Sequence, residues 1–290
     1  MRARLVGAGI GLLLPAFAQA GGGGLPVMES VPRWDEGIGL QTYYESYGSD
    51  KLLRGNNTIA NPLGLEERRQ ELWLEGIYYP VKERGVFFKL PYIAHDKDVV
   101  QSGARQRQHE EGIGDMEVGG VFKRYWNFPT GTADLGLAPQ LRLPTGDTGG
   151  PIPAGDGSVD VGIGLDGKWE NSRHMLMAGT TYWKNQSGSH GINEGDTWDT
   201  HLMYGYHVYA LPEYQMGFFL IPKIEAMWEG GGVDRDGETG GLLVHGGPAI
   251  KIYKGNYLLY LESEFPIYER VKGTDFSAGN HYHAAIGVAF

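Results

Sequence analysis

Apolar and polar residues alternate with a period of two through most of this chain. In residues 158–170, Val159, Val161 and Ile163 fall on one face of an extended strand, while Asp160 and Lys168 fall on the opposite face. Successive side chains point to opposite faces of a β-strand, whereas side chains on one face of a helix recur about every 3.6 residues. No alternating segment fits the helical spacing, so the sequence predicts an all-β fold.

Each alternating segment has about the ten or more residues that a tilted strand needs to cross a bilayer. Twelve segments show the pattern: 36–47, 70–80, 84–94, 113–126, 132–144, 158–170, 173–184, 197–210, 214–229, 241–253, 256–269 and 280–290. The longest apolar run after residue 20, at 218–221, is far shorter than the ~20 residues of a membrane-spanning helix. Strands, rather than helices, are therefore the candidate membrane spans.

A soluble β-sandwich or barrel turns the apolar face of each strand toward its core, whereas a membrane barrel turns that face toward lipid. Aromatic residues near the strand ends favour a membrane barrel, where they form interfacial girdles: Trp126, Trp169, Trp183, Trp198 and Trp228. Each Lys or Arg facing lipid at mid-bilayer would cost ~2–4 kcal/mol, so several together would exceed the ~5–15 kcal/mol stability of a domain. We therefore expect the basic residues to face inward.

The connections between the segments alternate between long and short. The long ones are polar and follow the odd-numbered segments, at 48–69, 95–112, 145–157, 185–196, 230–240 and 270–279. The short ones follow the even-numbered segments, at 81–83, 127–131, 171–172, 211–213 and 254–255. Long outer loops and short periplasmic turns are typical of outer-membrane barrels. The sequence predicts a transmembrane antiparallel up-and-down β-barrel of about twelve strands.

The two chain ends predict an outer-membrane location. Residues 1–20 combine a basic start, an apolar stretch and the small-residue site Ala18-Gln19-Ala20, as in a cleaved N-terminal signal peptide. We expect a short periplasmic segment at 21–35 and the barrel at 36–290. Phe290 ends an alternating segment, and we expect the barrel-assembly machinery to recognise it.

The net charge and the absence of cysteine exclude some classes of partner and cofactor. The formal net charge is −10, which argues against nucleic-acid binding because phosphate contacts need a basic surface. The chain contains no cysteine, so disulfides and thiolate metal sites are excluded. The expected partners are outer-membrane lipid and a small-molecule solute, with no cofactor and no defined oligomeric state.

Three stretches carry distinctive glycine, proline and aspartate motifs: Glu111-Gly112-Ile113-Gly114-Asp115-Met116-Glu117-Val118-Gly119-Gly120, Leu141-Arg142-Leu143-Pro144-Thr145-Gly146-Asp147 and Gly155-Asp156-Gly157-Ser158-Val159-Asp160-Val161-Gly162. Together they resemble a family of outer-membrane barrels named for the meta-pathway of phenol degradation. Glycine at 112 and 114 would let packed strands bend, and Pro144 would end a strand before a turn. The resemblance implies a pore or transporter, often encoded beside aromatic-degradation functions, and it does not fix a substrate.

The inward polar faces supply the candidate permeation residues, which interleave acidic and basic side chains. These lumen candidates are Glu75, Lys89, Glu117, Lys123, Arg142, Asp160, Asp166, Lys168, Lys223, Glu225, Lys251, Glu262 and Glu264. Inward aromatic residues could stack a solute, namely Tyr79, Phe87, Tyr209 and Tyr260. We expect passive transport of small organic compounds, with aromatic or hydrophobic ones among the candidate solutes. The alternative is a barrel filled by its own side chains, with a structural or adhesive role.

Histidines and serines raise two further hypotheses. His201, His281 and His283 fall on inward faces and are weak candidates for a transition-metal site; the simpler prediction is no metal, with polar rings lining a wet lumen. A phospholipase-like hydrolase is disfavoured, since the inward histidines do not face lipid and no G-x-S-x-G motif is present. We therefore expect no enzymatic activity.

Two long connections are candidates for a constriction that folds into the barrel. The first is 48–69, where Leu63 and Leu65 could pack on the rim, and the second is 95–112, with Arg105, Arg107 and His109. A solvated surface loop remains the simpler expectation for each.

Overall fold

The computed structural model describes residues 36–149, 153–189, 195–211, 216–234 and 237–290. The predicted signal peptide at 1–20 and the segment 21–35 lie outside these residues. None of the described segments forms a helix with the length and hydropathy needed to cross a membrane.

Sixteen β-strands make up the described chain. They are β1 (Gly37–Ser49), β2 (Leu52–Arg54), β3 (Asn57–Ile59), β4 (Glu67–Val81), β5 (Arg84–Gln101), β6 (Ala104–Ile113), β7 (Met116–Phe128), β8 (Gly131–Leu143), β9 (Asp160–Glu170), β10 (His174–Lys184), β11 (Thr197–Leu211), β12 (Met216–Asp234), β13 (Gly237–Lys254), β14 (Tyr257–Val271), β15 (Thr274–Phe276) and β16 (Asn280–Ala289).

Antiparallel pairing closes the long strands into a barrel. Strand β1 pairs with β4 on one side and with β16 on the other, which joins the first strand to the last. Strands β6 and β7 together count as one strand of the barrel, because both pair with β5. Residues 92–101 of β5 pair with β6, and residues 84–89 pair with β7. The structure therefore confirms the predicted closed antiparallel barrel of twelve strands.

The barrel wall has an apolar outer face and a polar or tightly packed inner face. On β9, Val161, Ile163 and Leu165 are about half exposed, whereas Asp160, the first residue of the same strand, is fully buried. Alternate burial of this kind recurs along β1, β4 and β5. Because the large apolar side chains point away from the interior, the outer face suits hydrocarbon rather than water.

Side chains fill the barrel at mid-height. One cluster surrounds Trp73 and Ile221, which are 1% and 0% exposed; its other buried members are Tyr43, Met175, Phe219, Ala249, Tyr260 and Ala285. A second cluster contains Ile77, Tyr79, Phe87, Val121 and Ala138. The interior therefore includes an apolar section besides its charged groups.

Two connections predicted as loops are instead protruding hairpins. Strands β5 and β6 pair from Tyr92 with Ile113 to Gln101 with Ala104, and their turn places both Ser102 and Gly103 at positive φ, as a two-residue hairpin turn requires. Strands β12 and β13 likewise extend through most of 230–240. In the β5–β6 hairpin the charges that suggested a loop are tolerated because they form cross-strand ion pairs, such as Arg107 with Asp96.

The connection 48–69 forms part of a small sheet at the outer end of the barrel. Strand β2 pairs with β3 and with β15, which comes from the connection between β14 and β16. Leu52, Leu65 and Phe276 of this region pack on Val100 of β5, whereas Leu63 is exposed. Leu65 therefore packs as expected, and Leu63 does not.

Two aromatic predictions were wrong. Trp183 is 2% exposed and lies inside the barrel with the Arg142 guanidinium 4.5 Å from its ring centroid, so it does not belong to an outer girdle. Tyr209 is 53% exposed because the pairing of β11 with β12 shifts register between His207 and Tyr209. A bulge moves the following side chains to the other face.

Candidate functional site

A band of side chains crosses the inner wall from β1 to β9, and we call it the charge belt. Its members are Gln41, Glu75, Lys89, Glu117, Arg142 and Asp160, and each lies directly opposite the next in the strand register. All are buried. Directly opposed side chains are the nearest neighbours in an antiparallel pair, so the register itself places acidic beside basic groups.

The contacts along the charge belt are ion pairs and hydrogen bonds. Lys89 Nζ lies 3.8 Å from Glu117 Oε2, and Arg142 lies 3.2 Å from Glu117 and 3.4 Å from Asp160. At the other end, the Gln41 side-chain amide donates to Glu75. Buried charges need such partners because an unpaired one costs several kcal/mol.

The residues of the family resemblance gather at one end of the charge belt, in what we call the motif junction (residues 112–116, 144–147 and 153–158). The Asp115 carboxylate accepts backbone hydrogen bonds from Gly146 at 2.8 Å and Asp156 at 3.0 Å. Thr145 Oγ1 accepts from the Met116 amide and donates to the Gly114 carbonyl. The junction holds the break between β6 and β7 against the connection that follows β8.

Glycine is required at some positions of the motif junction but not at all of them. A Cβ at Gly114 would approach Ile93 and Pro91 within 2.9 Å, and one at Gly146 would lie 2.8 Å from the Gly155 backbone. A Cβ at Gly112 would make only ordinary contacts at 3.7 Å. Pro144 follows the last residue of β8, and the Asp147 amide donates to Ile113. The expected bend therefore depends on Gly114, and Gly112 has no steric role in it.

The motif junction is joined to the charge belt through Asp160. Ser158 Oγ lies 2.6 Å from an Asp160 oxygen, to which its single O–H donates, and 2.9 Å from Asp156, while the Gln186 amide also donates to Asp160. Asp160 thus receives hydrogen bonds from two outer connections besides Arg142. This explains why a fully buried carboxylate is tolerated at that position.

A second charged group lies on the opposite side of the interior, around Lys223. Its ammonium is 2.5 Å from Glu225, 3.2 Å from Glu262 and 3.2 Å from Glu264. Strands β12 and β14 supply these residues. One ammonium serves three carboxylates here, so this group carries excess negative charge.

Four further lumen candidates lie nearer the short turns or between the two groups. Lys168 pairs with Asp134 at 3.6 Å and with Glu170 at 3.7 Å. Lys123 and Lys251 each lie 6.0 Å from an aromatic ring, of Tyr79 and Phe219 respectively. Asp166 lies 3.9 Å from His201. All thirteen candidates are therefore buried or half-buried on the inner face.

The apolar section beside these charges contains aromatic and methionine side chains. Met177 and Met203 lie directly opposite each other on β10 and β11 and pack partly buried against the cluster around Trp73 and Ile221. Methionine has an unbranched, flexible side chain that adapts to irregular spaces. This section therefore offers a movable apolar surface between charged groups.

The candidate histidines separate in the structure. His281 and His283 are buried near His245 and the carboxylates of Glu45 and Glu264. His201 is half-buried and belongs to none of the potential ligand groups in the described chain. The sequence also places His190 beside Ser187 and Ser189, the serines nearest to a hydrolase-like pair, but His190 lies outside the described residues.

Sequence reasoning missed several buried polar residues, among them Gln41, Glu45 and Glu71. Gln41 and Glu45 share the inner face of β1 with Tyr43 and Tyr47, which the period-two alternation within 36–47 already indicates. Glu71 pairs with Arg69 at 2.6 Å. Listing every polar residue on the inward register, rather than the charges in the clearest segments, would have found them.

Comparison with known proteins supports the fold. The COG4313 outer membrane channel from Pseudomonas putida F1 is similar over 88% of this chain and 96% of its own, with 12% identity and a TM-score of 0.64. Weaker matches include a Pseudomonas aeruginosa FadL homologue at 8% identity and TM-score 0.43. The CymD monoaromatic hydrocarbon channel matches at 9% identity and TM-score 0.42, and these two alignments cover 88% and 89% of this chain and 90% and 89% of theirs.

No family model and no curated protein sequence matches this chain. The specific resemblance to the phenol meta-pathway family therefore stays a prediction. The likeness to the Pseudomonas putida channel shows an outer-membrane β-barrel fold, which supports an outer-membrane location.

Proposed function

We propose that this chain is a non-enzymatic outer-membrane channel for small organic compounds, aromatic or hydrophobic ones in particular. The observation that carries the proposal is the apolar section of aromatic and methionine side chains, which lies inside the barrel between the charge belt and the group around Lys223. A hydrophobic solute would find contacts there that water does not offer. The charged groups on either side would orient a polar substituent.

Met177 and Met203 are the proposed movable part of the pathway. The interior is packed at mid-height, so a solute can pass only if side chains change rotamer. Flexible methionine side chains do so more readily than the buried Trp73 or Ile221. Side-chain rotamer changes are also fast compared with solute transport.

The test is conductance of the refolded protein in planar bilayers together with uptake of phenol and toluene into liposomes. The double variant Met177→Ala and Met203→Ala should raise conductance and uptake severalfold, because it widens the apolar section. The matched control is Leu176→Ala with Leu202→Ala, since these neighbours lie on the exposed outer face of the same strands. A folded barrel that stays silent in both the native and the widened form contradicts the proposal.

A second candidate function is a closed barrel with a structural or adhesive role. The near-complete burial of Trp73 and Ile221 favours it, because small barrels can be filled by their own side chains. The same bilayer measurement distinguishes the two functions. Cleavage of the signal peptide and recognition of Phe290 by the barrel-assembly machinery stay predictions.

A further inference from the structure

Three histidines and two glutamates converge at the seam where the barrel closes. This histidine–carboxylate cluster consists of Glu45 on β1, His245 on β13, Glu264 on β14, and His281 and His283 on β16. Every member is at most 7% exposed. Glu45 lies opposite His283 in the register, and His281 lies opposite Glu264. The strand pairing therefore brings four of the potential metal ligands together, and the His245 ring from β13 lies 4.3 Å from the His281 ring, centroid to centroid.

The distances within the cluster suit a metal ion. Potential ligand atoms of Glu45, His281 and His283 lie within 4.8 Å of one another, and those of His245, Glu264 and His281 do so as well. His281 Nδ1 is 3.7 Å from Glu45 Oε1, and the His245 and His281 ring centroids are 4.3 Å apart. Ligands about 2.0–2.2 Å from one zinc ion are separated by about 3–4 Å, so small rotations would complete either set.

Several buried atoms of the cluster have no hydrogen-bond partner among the described residues. They are both carboxylate oxygens of Glu45 and the Nε2 atoms of His245 and His281. Glu45 is 0% exposed, His281 2% and His245 4%. Buried polar atoms are normally satisfied, and an exception calls for a ligand, an ion or water. The unsatisfied atoms here belong to the residue types that bind transition metals.

The local charge also calls for a cation. Lys223 already contacts Glu225, Glu262 and Glu264, and Arg69 contacts Glu71. Among the described residues, the ion-pair contact of Glu45 is with the His281 imidazole, 3.7 Å away. A third ligand set, Glu262 with Glu264 and His283, is already occupied by the Lys223 ammonium. Of the two sets that share His281, the one with Glu45 and His283 is the more open to an ion, because Lys223 also contacts Glu264 of the other set.

We propose that this cluster binds one late first-row divalent metal ion, with Zn²⁺ as the reference ion. His281 is the central ligand, and it is joined by His245 or His283 and by the carboxylate of Glu45 or Glu264. Imidazole with carboxylate is a ligand set that suits zinc and its neighbours. The ion would link β16 to β1 or to β13 and β14, and would neutralise the excess negative charge. The inference does not depend on solute transport.

The experiment measures Zn²⁺ binding by the untagged, refolded, full-length barrel in detergent after removal of metal with a chelator. Calorimetry and elemental analysis should give one bound Zn²⁺ per chain. His281→Ala should weaken binding at least about 100-fold, because even supporting residues around a metal ligand are worth about 10–100-fold. Substituted Co²⁺ should show visible absorption bands that His281→Ala abolishes.

Two control variants separate the cluster from other histidines. His109→Ala removes an exposed histidine near Asp96 and Glu111, and His207→Ala removes a half-buried one that contacts Phe219; both should leave Zn²⁺ binding unchanged. Heat-modifiable gel mobility confirms that each variant is folded. Absence of stoichiometric Zn²⁺ binding by the folded native barrel overturns the proposal, and so does binding that His281→Ala leaves intact while His109→Ala removes it.

Discussion

The two sides of the barrel interior differ in how their charges are balanced. Along the charge belt, acidic and basic residues alternate from strand to strand, so Glu117 lies between Lys89 and Arg142. Around Lys223, one ammonium contacts three carboxylates, and Glu45 nearby faces imidazoles. Every residue of the charge belt is buried, and on the Lys223 side Glu262 and Glu264 are buried while Glu225 is half-buried. The two sides therefore differ in charge balance because acidic and basic residues face each other across neighbouring strands of the charge belt, whereas carboxylates outnumber the ammonium around Lys223.

This difference assigns distinct roles to the two sides. A balanced ladder satisfies its charges locally and stabilises the wall, with little field left over for a passing solute. An unbalanced group concentrates negative potential in a low-dielectric interior, and such potentials attract cations and the positive ends of dipoles. We expect substitutions on the Lys223 side to cost more stability and to change function more than substitutions in the charge belt.

The largest expected effect follows from Lys223→Met. The variant leaves Glu225, Glu262 and Glu264 without their shared ammonium, and breaking a buried ion pair costs about 3–5 kcal/mol. Urea unfolding in lipid vesicles measures the loss. The control Lys184→Met removes an exposed lysine that contacts Asp196 and should leave the unfolding midpoint unchanged. Equal midpoints for Lys223→Met and the native protein would show that the group is not electrostatically strained.

A smaller loss is expected for Arg142→Met in the charge belt. Glu117 would keep Lys89, and Asp160 would keep its hydrogen bonds from Ser158 and Gln186. A partly compensated charge should cost about 1–3 kcal/mol in the free energy of unfolding. The same urea titration measures it. A loss larger than that of Lys223→Met would reverse the proposed ranking of the two sides.

Asp115→Asn tests the motif junction at the end of the charge belt. An amide retains only one acceptor oxygen, so one of the amides of Gly146 and Asp156 would lose its partner. We expect a loss of about 1 kcal/mol and faster proteolysis of the connection that follows β8. Gly112→Ala is the matched control, because a Cβ fits there. Unchanged proteolysis of Asp115→Asn would contradict the role given to the junction.

The smallest effect is expected outside the lumen, at Asp196. Burial raises the pKa of this carboxyl, but hydrogen bonds from the Tyr182 hydroxyl and the Lys184 ammonium outweigh it and lower the pKa overall. A lowered pKa gives stability that is present at neutral pH and is lost as the pH falls through it. Asp196→Asn should therefore lower the free energy of unfolding slightly at neutral pH and leave it unchanged at acid pH, which flattens the acid limb. Urea unfolding at a series of pH values measures this, and a loss that is as large at acid pH as at neutral pH would contradict the prediction.

The sequence predicted the barrel well because the same signal occurs in every strand. Each strand must turn one face to lipid and one inward, so period-two alternation marks the spans, and the turns between them are short. The sequence-based prediction failed for strand segments that do not have one face toward lipid and one toward the interior. The protruding β5–β6 hairpin lies beyond the apolar band, so its charged residues resembled a loop. The bulge before Tyr209 reversed the faces without leaving a sequence signal.

The candidate site could be predicted only in part. Alternation indicated which charged residues share the inner face, but not which of them are neighbours, because that depends on the relative register of adjacent strands. The ladder from Glu75 to Asp160 and the convergence of Glu45 with His281 both arise from register. Trp183 was assigned to the outer face because tryptophan is common in interfacial girdles, although its position in the period-two alternation of β10 places it on the inner face. Its burial beside Arg142 shows that the position in the alternation predicts the face of Trp183 better than its residue type does.

Site-directed spin labelling of adjacent residues tests most directly whether the polar faces enclose the lumen and the apolar faces meet lipid. The chain has no native cysteine, so single cysteines at Leu176, Met177, Leu202 and Met203 can each carry one label in liposomes. The structure predicts high collision rates with lipid-soluble oxygen at Leu176 and Leu202, and shielding at Met177 and Met203. Oxygen exposure at the two methionine positions, with shielding at the two leucine positions, would contradict the account.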